Sequence, residues 1–252
     1  MKDCAVLIPT KGRPEALVSM FKRCPELNCS DTYIGIEPSE KELHVPWRRQ
    51  YADKVSVIWI ANPKGFVGNA REQLRHAVAK SGYKRYLLTD DNSRFNSKSL
   101  QMLLLAQATE GCIMEGMGQP SLWHQDAIAA GKEYDISGQR FTTFVAYSTV
   151  HWVVPSSLYD EFTYPVDCFN DDVYFALWSI TTQGYTSFRM CLEAKYSKKR
   201  FEPGGNGSGN ERLKKMALGM YQLATDFPQV ADNTWMSTNF RWKNIIEQGA
   251  IK

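Results

Sequence analysis

A mostly parallel α/β sheet with flanking helices is the fold that this 252-residue sequence predicts. Three observations point there. Short apolar runs alternate with helical stretches through the first hundred residues. The first of those runs is continuously apolar, as a strand buried on both faces should be. Polar residues stand just past the runs: Thr10, Glu37, Asn62 and the trio Asp90, Asp91, Asn92. Ligands of parallel sheets collect at the carboxyl ends of the strands, so this half of the chain is expected to hold one.

The elements follow in order. "CAVLI" (4–8) is a strand ended by Pro9 and Gly12, and Pro14 suits the first turn of a helix running to about Arg23. "TYIGIE" (32–37) and "VSVIWIA" (55–61) are further strands. Gly65 and Gly68 precede the helical "NAREQLRHAVAKSG", with apolar positions at Ala70, Leu74, Ala77 and Val78 and a stop at Gly82. "YKRYLLTD" is a fourth strand, and a helix covers roughly 97–109. Beyond it, "FTTFVAY" (141–147) and "VHWVVP" (150–155) alternate as antiparallel strands do. "NDDVYFALWSITTQGY" is an acidic entry into a helix that stops at Gly184. Residues 195–215 are basic and Gly-rich, hence a loop, followed by a helix over about 210–224 and an aromatic tail.

Composition narrows the field only slightly. The chain is 43% hydrophobic and 23% charged, with a formal charge of +3 and a pI near 8.4. That permits a polyanionic partner without requiring one. The six cysteines (Cys4, Cys24, Cys29, Cys112, Cys168, Cys191) include no CxxC pair, which argues against a disulfide framework or structural zinc. There is no signal-peptide core and no apolar run near the ~18 residues of a membrane span. A cytoplasmic protein is expected.

"YLLTDDNSRF" (86–95) gathers Asp90, Asp91 and Asn92 behind an apolar strand. Acids and amides are common in turns, but their place at a strand end favours a divalent cation and, through it, a phosphate. Hard oxygen ligands of this kind suit Mg²⁺ or Mn²⁺.

Four segments, "VLIPTKGRPEAL", "GFVGNAREQL", "RYLLTDDN" and "NDDVYFALWSITTQGY", resemble glycosyltransferases of the GT-A fold, over approximately 5–200. The resemblance implies a Rossmann-like sheet with a small antiparallel acceptor-side sheet, arranged as a catalytic domain over 1–200. Residues 1–110 would bind the nucleotide-sugar and 111–200 the acceptor, with 201–252 packed on the same domain. It implies a UDP-sugar or similar donor held by Pro9, Thr10, Arg13, Glu37, Asn62, Arg71 and Asp90. Asp91 and Asn92 would ligate Mn²⁺ or Mg²⁺ on the diphosphate. The Asn at the third position departs from the fullest acidic motif, and no histidine follows the last sheet strand. Asp172 aligns with the second acid of the family's "ED" pair and would be the base of an inverting transfer. Asp171, beside it, shares the catalytic pair or caps the helix.

The short chain and its "PGG" loop look most like phage-type enzymes that glycosylate hydroxymethylated DNA bases, which would place the protein in the cytoplasm of a host cell. Basic residues interleave with aromatics in "PWRRQY" (46–51), "KYSKKRF" (195–201) and "FRWKN" (240–244), a pattern that suits phosphates and stacked bases. Lys198, Lys199, Arg200, Gly204 and Gly205 are the candidate DNA contacts. A glycan, lipid or small-molecule acceptor is the alternative, as is a non-catalytic DNA-binding protein with a transferase-like fold. A nucleotidyltransferase fits less well, because "IPTKGRPEAL" lacks the Gly-rich triphosphate loop. His44 and His76 read as surface residues, while His124 and His151 are open between packing and the acceptor side.

Overall fold

The computed structural model describes residues 3–51, 53–93, 96–110, 113–117, 133–136, 139–143, 151–183, 187–191 and 209–228. The elements along the chain are β1 (Cys4–Pro9), α1 (Pro14–Arg23), β2 (Thr32–Ile36), α2 (Val45–Tyr51), β3 (Ser56–Trp59), α3 (Val67–Val78), β4 (Arg85–Thr89) and α4 (Ser97–Glu110). They continue with β5 (Ile113–Met117), β6 (Glu133–Ile136), β7 (Gln139–Thr143), β8 (His151–Pro155), the single turn α5 (Ser156–Tyr159), α6 (Asp171–Thr181), β9 (Ser187–Cys191) and α7 (Gly209–Asp226).

The described strands form one sheet in the order β3-β2-β1-β4-β8-β5-β9-β7-β6. β1 to β4 are mutually parallel. β8 then runs antiparallel between β4 and β5, and β9 lies parallel to β5. β7 and β6 finish the sheet with antiparallel pairs. The antiparallel strands expected on the acceptor side are present and continue the parallel sheet. Their interior explains why: β8 is apolar on both faces, so it can only sit mid-sheet.

Side-chain alternation divides the core in two. Cys4, Val6 and Ile8 of β1, Leu87 of β4 and Val153 of β8 face α1, α2 and α4, packing on Leu17, Met20, Phe21, Trp47 and Leu100. Ala5, Leu7, Tyr86, Leu88, Trp152 and Val154 face the other way, onto Leu74 and Val78 of α3 and an aromatic cluster of Tyr159, Phe162, Tyr164 and Phe175. In α3 the buried stripe is Ala70, Arg71, Leu74, Arg75 and Val78, with Ala77 exposed. The expected Ala77 is replaced by Arg75, whose guanidinium is held by Glu72 at 2.5 Å and the Asp160 carbonyl at 3.0 Å.

β1 is flanked by β2 on one side and β4 on the other, so the strand order reverses between β1 and β4. Such a switch point opens a crevice at the carboxyl ends. The start of α3 is fixed to the far side of this crevice. Gly68, inside the helix rather than before it, donates its N–H to the Cys168 carbonyl at 3.1 Å. A Cβ at Gly68 would lie 2.6 Å from Cys168 Cβ and 2.9 Å from its carbonyl oxygen. Gly68→Ala should therefore destabilise the protein by about 1–3 kcal/mol, less up to about 1 kcal/mol of gained helix propensity. Urea unfolding will show this as a lower midpoint at unchanged m-value.

Candidate functional site

The four parallel strands deliver the predicted polar residues to one edge. Thr10 follows β1, Glu37 follows β2, and Asp90 to Asn92 follow β4. Thr10 Oγ1 donates to Asp91 Oδ2 at 2.7 Å, across the switch point. Arg13 Nη2 stands 2.6 Å from Asp91 Oδ1, a charge contact rather than an aligned hydrogen bond. Asp91 has a 0% exposed side chain; burial raises its pKa to about 6, with Arg13 and Thr10 acting in the opposite sense. Asn92 Oδ1 is buried with no hydrogen-bond partner among the described residues.

Glu37 is engaged by Lys11 Nζ at 2.9 Å. Asn62 folds the loop before α3 on itself: its amide donates to the Phe66 carbonyl at 2.9 Å and accepts the Phe66 N–H at 3.1 Å. Pro9 ends β1, paired with Gly35. Of the expected donor-side residues, Thr10 touches the acidic trio through Asp91 and Arg71 through Asp90, while Arg13 reaches Asp91 by charge.

Arg71, expected on the donor side, is 4% exposed. Its Nε donates to Asp171 Oδ2 in a short hydrogen bond, and its Nη2 lies 2.8 Å from Asp90 Oδ1. The Trp152 ring covers the guanidinium at 5.7 Å. Burial works against the charge, but Asp171 and Asp90 outweigh it and hold the group firmly protonated. Nη1 has no hydrogen-bond partner among the described residues.

The acids that open α6 divide their labour. Asn170 occupies the N-cap position, so Asp171 is not the cap; its buried carboxylate serves Arg71. Burial pushes Asp171 up, and Arg71 opposes this. Asp172 is partly exposed, and its carboxylate accepts the neighbouring Val173 N–H at 2.9 Å. Burial first, then the charge of Asp171, raises it to about 7. A carboxyl poised there, beside a cationic hub and at the ligand edge of the sheet, can accept a proton near neutral pH.

Two residues that bear on the site carried no signal in sequence. Asp167, with φ of 59°, accepts from Asn69 Nδ2 at 3.2 Å and Lys64 Nζ at 2.6 Å, joining the loop before α3 to the loop before α6. Lys215 of α7 donates to the Lys64 carbonyl at 2.7 Å. Neither lies in a motif, and only the tertiary contact identifies them.

Other expectations change. His44 is fully buried, accepting from Trp47 Nε1 at 2.6 Å. Trp47 and Tyr51 of "PWRRQY" point into the core rather than toward a partner, and Arg48 stacks on Trp59 at 5.1 Å. His124, Lys198, Lys199, Arg200, Gly204, Gly205 and the tail 240–244 lie outside the described residues, as does the side chain of His151. No helix among the described residues is long and apolar enough to cross a membrane.

No protein-family model matches the sequence, and no curated protein matches it either. Solved structures do match the fold. TarS of S. aureus, residues 1–349 in complex with UDP-GlcNAc, superposes with a TM-score of 0.53 at 11% identity over 88% of this chain. A second TarS structure gives 0.50 at 10% identity, again over 88%. The chain spans 66% of the first and 40% of the second. At this identity the likeness establishes a shared α/β fold.

The hub itself can be tested. Arg71→Met leaves Asp171 buried without its counter-charge and should cost about 3–5 kcal/mol in chemical denaturation. Combining it with Asp171→Leu removes the stranded charge and should recover a large part of that loss.

Proposed function

We propose that the chain is a nucleotide-sugar-dependent glycosyltransferase that inverts configuration at the transferred sugar. The observation that carries this reading is Asp172: a partly buried carboxyl, raised to about 7, in a fold shared with a protein whose structure holds UDP-GlcNAc. Direct in-line attack by an acceptor hydroxyl needs one base and a stabilised leaving group. Asp172 takes the hydroxyl proton, and Asp171 with Arg71 positions the helix that carries it. Pro9, Thr10, Arg13, Glu37, Asn62, Arg71 and Asp90 form the donor side.

Oxygen donors suited to a divalent cation stand beside it. Asn92 Oδ1 is buried with no partner among the described residues, Asp90 is 36% exposed, and Asp91 Oδ1 meets Arg13 by charge alone. No group of three His, Cys, Asp or Glu residues among those described could hold a metal. A Mg²⁺-type ion would need only one or two carboxylates, its shell completed by phosphates and water. Asp91, with Asn92 and Asp90, would hold Mn²⁺ or Mg²⁺, which neutralises the departing diphosphate when bound. Arg13 is the positive charge now set against Asp91 and would share that task.

The acceptor we favour is the hydroxyl of a 5-hydroxymethylated base in DNA, contacted by the basic segment 195–201 and the glycines 204–205. The basic and aromatic composition of that segment supports it. An enzyme of this kind must also turn its target base out of the duplex.

Two measurements test the reading. Asp172→Asn keeps shape but loses basicity, so kcat should fall about 10²–10⁴-fold while donor affinity survives. In the wild type, kcat should decline on acidification below about pH 7, as the carboxyl that must accept the proton becomes protonated. An unchanged kcat would return Asp172 to a purely structural place at the helix start.

Nucleotide-sugars should be screened against 5-hydroxymethylcytosine DNA, glycans and water, with and without EDTA, and the products read by mass spectrometry and NMR. Transfer to the DNA base with inverted anomeric configuration and EDTA sensitivity is expected. Transfer to a glycan alone would keep the transferase and move its acceptor. Retained configuration would overturn the single-displacement mechanism.

A further inference from the structure

Two ammonium groups from distant parts of the chain meet over the loop that opens α3. Lys11 follows β1, and Lys215 lies near the middle of α7. A Cβ placed on Gly65 would stand 3.0 Å from Lys11 Nζ and 3.3 Å from Lys215 Nζ. Both nitrogens therefore crowd the position that a side chain at 65 would take, over a buried glycine. Gly65 has φ of +66°, a conformation that side-chain-bearing residues seldom adopt.

Each lysine is held in place. Lys11 Nζ, on a side chain 33% exposed, donates to Glu37 Oε1 at 2.9 Å. Lys215 is 9% exposed; its Nζ donates to the Lys64 carbonyl at 2.7 Å and approaches the Gly65 carbonyl at 3.5 Å. The Phe66 ring lies 5.1 Å beneath it. Lys64, between them in sequence, turns its own ammonium away to Asp167.

Adjacent like charges repel, and burying one of them costs more. Glu37 already balances Lys11, and an anion that reached both nitrogens would be held by two charged donors at once. The seat lies on the ligand edge of the sheet, past the ends of β1 and β3, and next to the start of α3, whose N-terminus adds partial positive charge. Its chemistry is that of a phosphate oxyanion: compact, multiply charged and able to accept from several donors at once.

We propose that the converging ammonium groups of Lys11 and Lys215 hold the terminal phosphate of a nucleoside diphosphate, and that α7 is the element that brings Lys215 there. The assignment rests on the transferase reading, in which a nucleoside diphosphate is the leaving group. It adds a role for the C-terminal helix: a cation delivered from residue 215 to stabilise the departing charge. The same helix packs Gly219 against Asn170, the N-cap of α6, where a Cβ would lie 2.9 Å from the Asn170 amide. One helix thus touches both the leaving-group side and the start of the helix that carries Asp172.

Calorimetric titration of the full chain with inorganic pyrophosphate, UDP and uridine tests the seat, alongside steady-state kinetics with the nucleotide-sugar. Lys11→Gln and Lys215→Gln should each weaken pyrophosphate and UDP by about tenfold, the effect of losing a hydrogen bond to a charged group, and leave uridine unchanged. Lys215→Arg keeps the charge and should lose less than Lys215→Gln. Should Lys215→Gln fail to fold by its melting curve, Lys11→Gln, a partly exposed side chain, decides the matter. Wild-type affinity for pyrophosphate and UDP in Lys11→Gln overturns the seat, as does an equal loss for uridine. Lysine-dependent pyrophosphate binding with no turnover of any nucleotide-sugar keeps the seat and discards the transferase reading. Turnover with wild-type kcat and KM in both variants does the reverse.

Discussion

A buried arginine organises this protein's candidate site. Placing the Arg71 guanidinium inside the fold removes it from water, at a cost of several kcal/mol unless opposite charges and hydrogen bonds replace the solvent. Asp171 and Asp90 supply them, and Trp152 covers the remaining face. These partners come from α6, the end of β4 and β8. Satisfying one charge therefore fixes four elements relative to one another, and with them the two ends of the crevice.

What the hub leaves over is as informative as what it uses. Asp171 is consumed by Arg71, whereas Asp172, one residue on, keeps its carboxylate with only a local backbone bond. The charge of Asp171, after burial, is what raises its neighbour. Adjacent acids at a helix start thus acquire different characters from a single arginine: one is tied to the guanidinium, and the other is raised toward neutral pH. At the opposite end, Thr10 and Arg13 treat Asp91 similarly, enclosing an acid that burial alone would neutralise.

A second layer of contacts closes around the start of α3. Gly68 against Cys168 and Gly219 against Asn170 are close approaches that larger residues would prevent, and Asn69 exchanges hydrogen bonds with Asp167. They join the first turn of α3 and the middle of α7 to the loop before α6. The likeness to TarS concerns this fold at 11% identity, so the chemistry of the site rests on this chain's own residues.

Much of the architecture was legible in sequence because local rules decide it. Pro14 marks the start of α1, apolar runs mark β1, β2 and β4, and strand ends mark where Thr10, Glu37 and the acidic trio stand. Parallel pairing then brings those ends together with no further information. The sequence could not say that β8 inserts between β4 and β5, because register between distant strands is a matter of packing and not of local pattern. Nor could it tell Asp171 from Asp172, Arg71 on the surface from Arg71 in the core, or single out Lys215 among the chain's basic residues. Charge type is written in the residues; which charge is buried, and against what, is decided only when helices separated by a hundred residues close on one another and water is excluded between them.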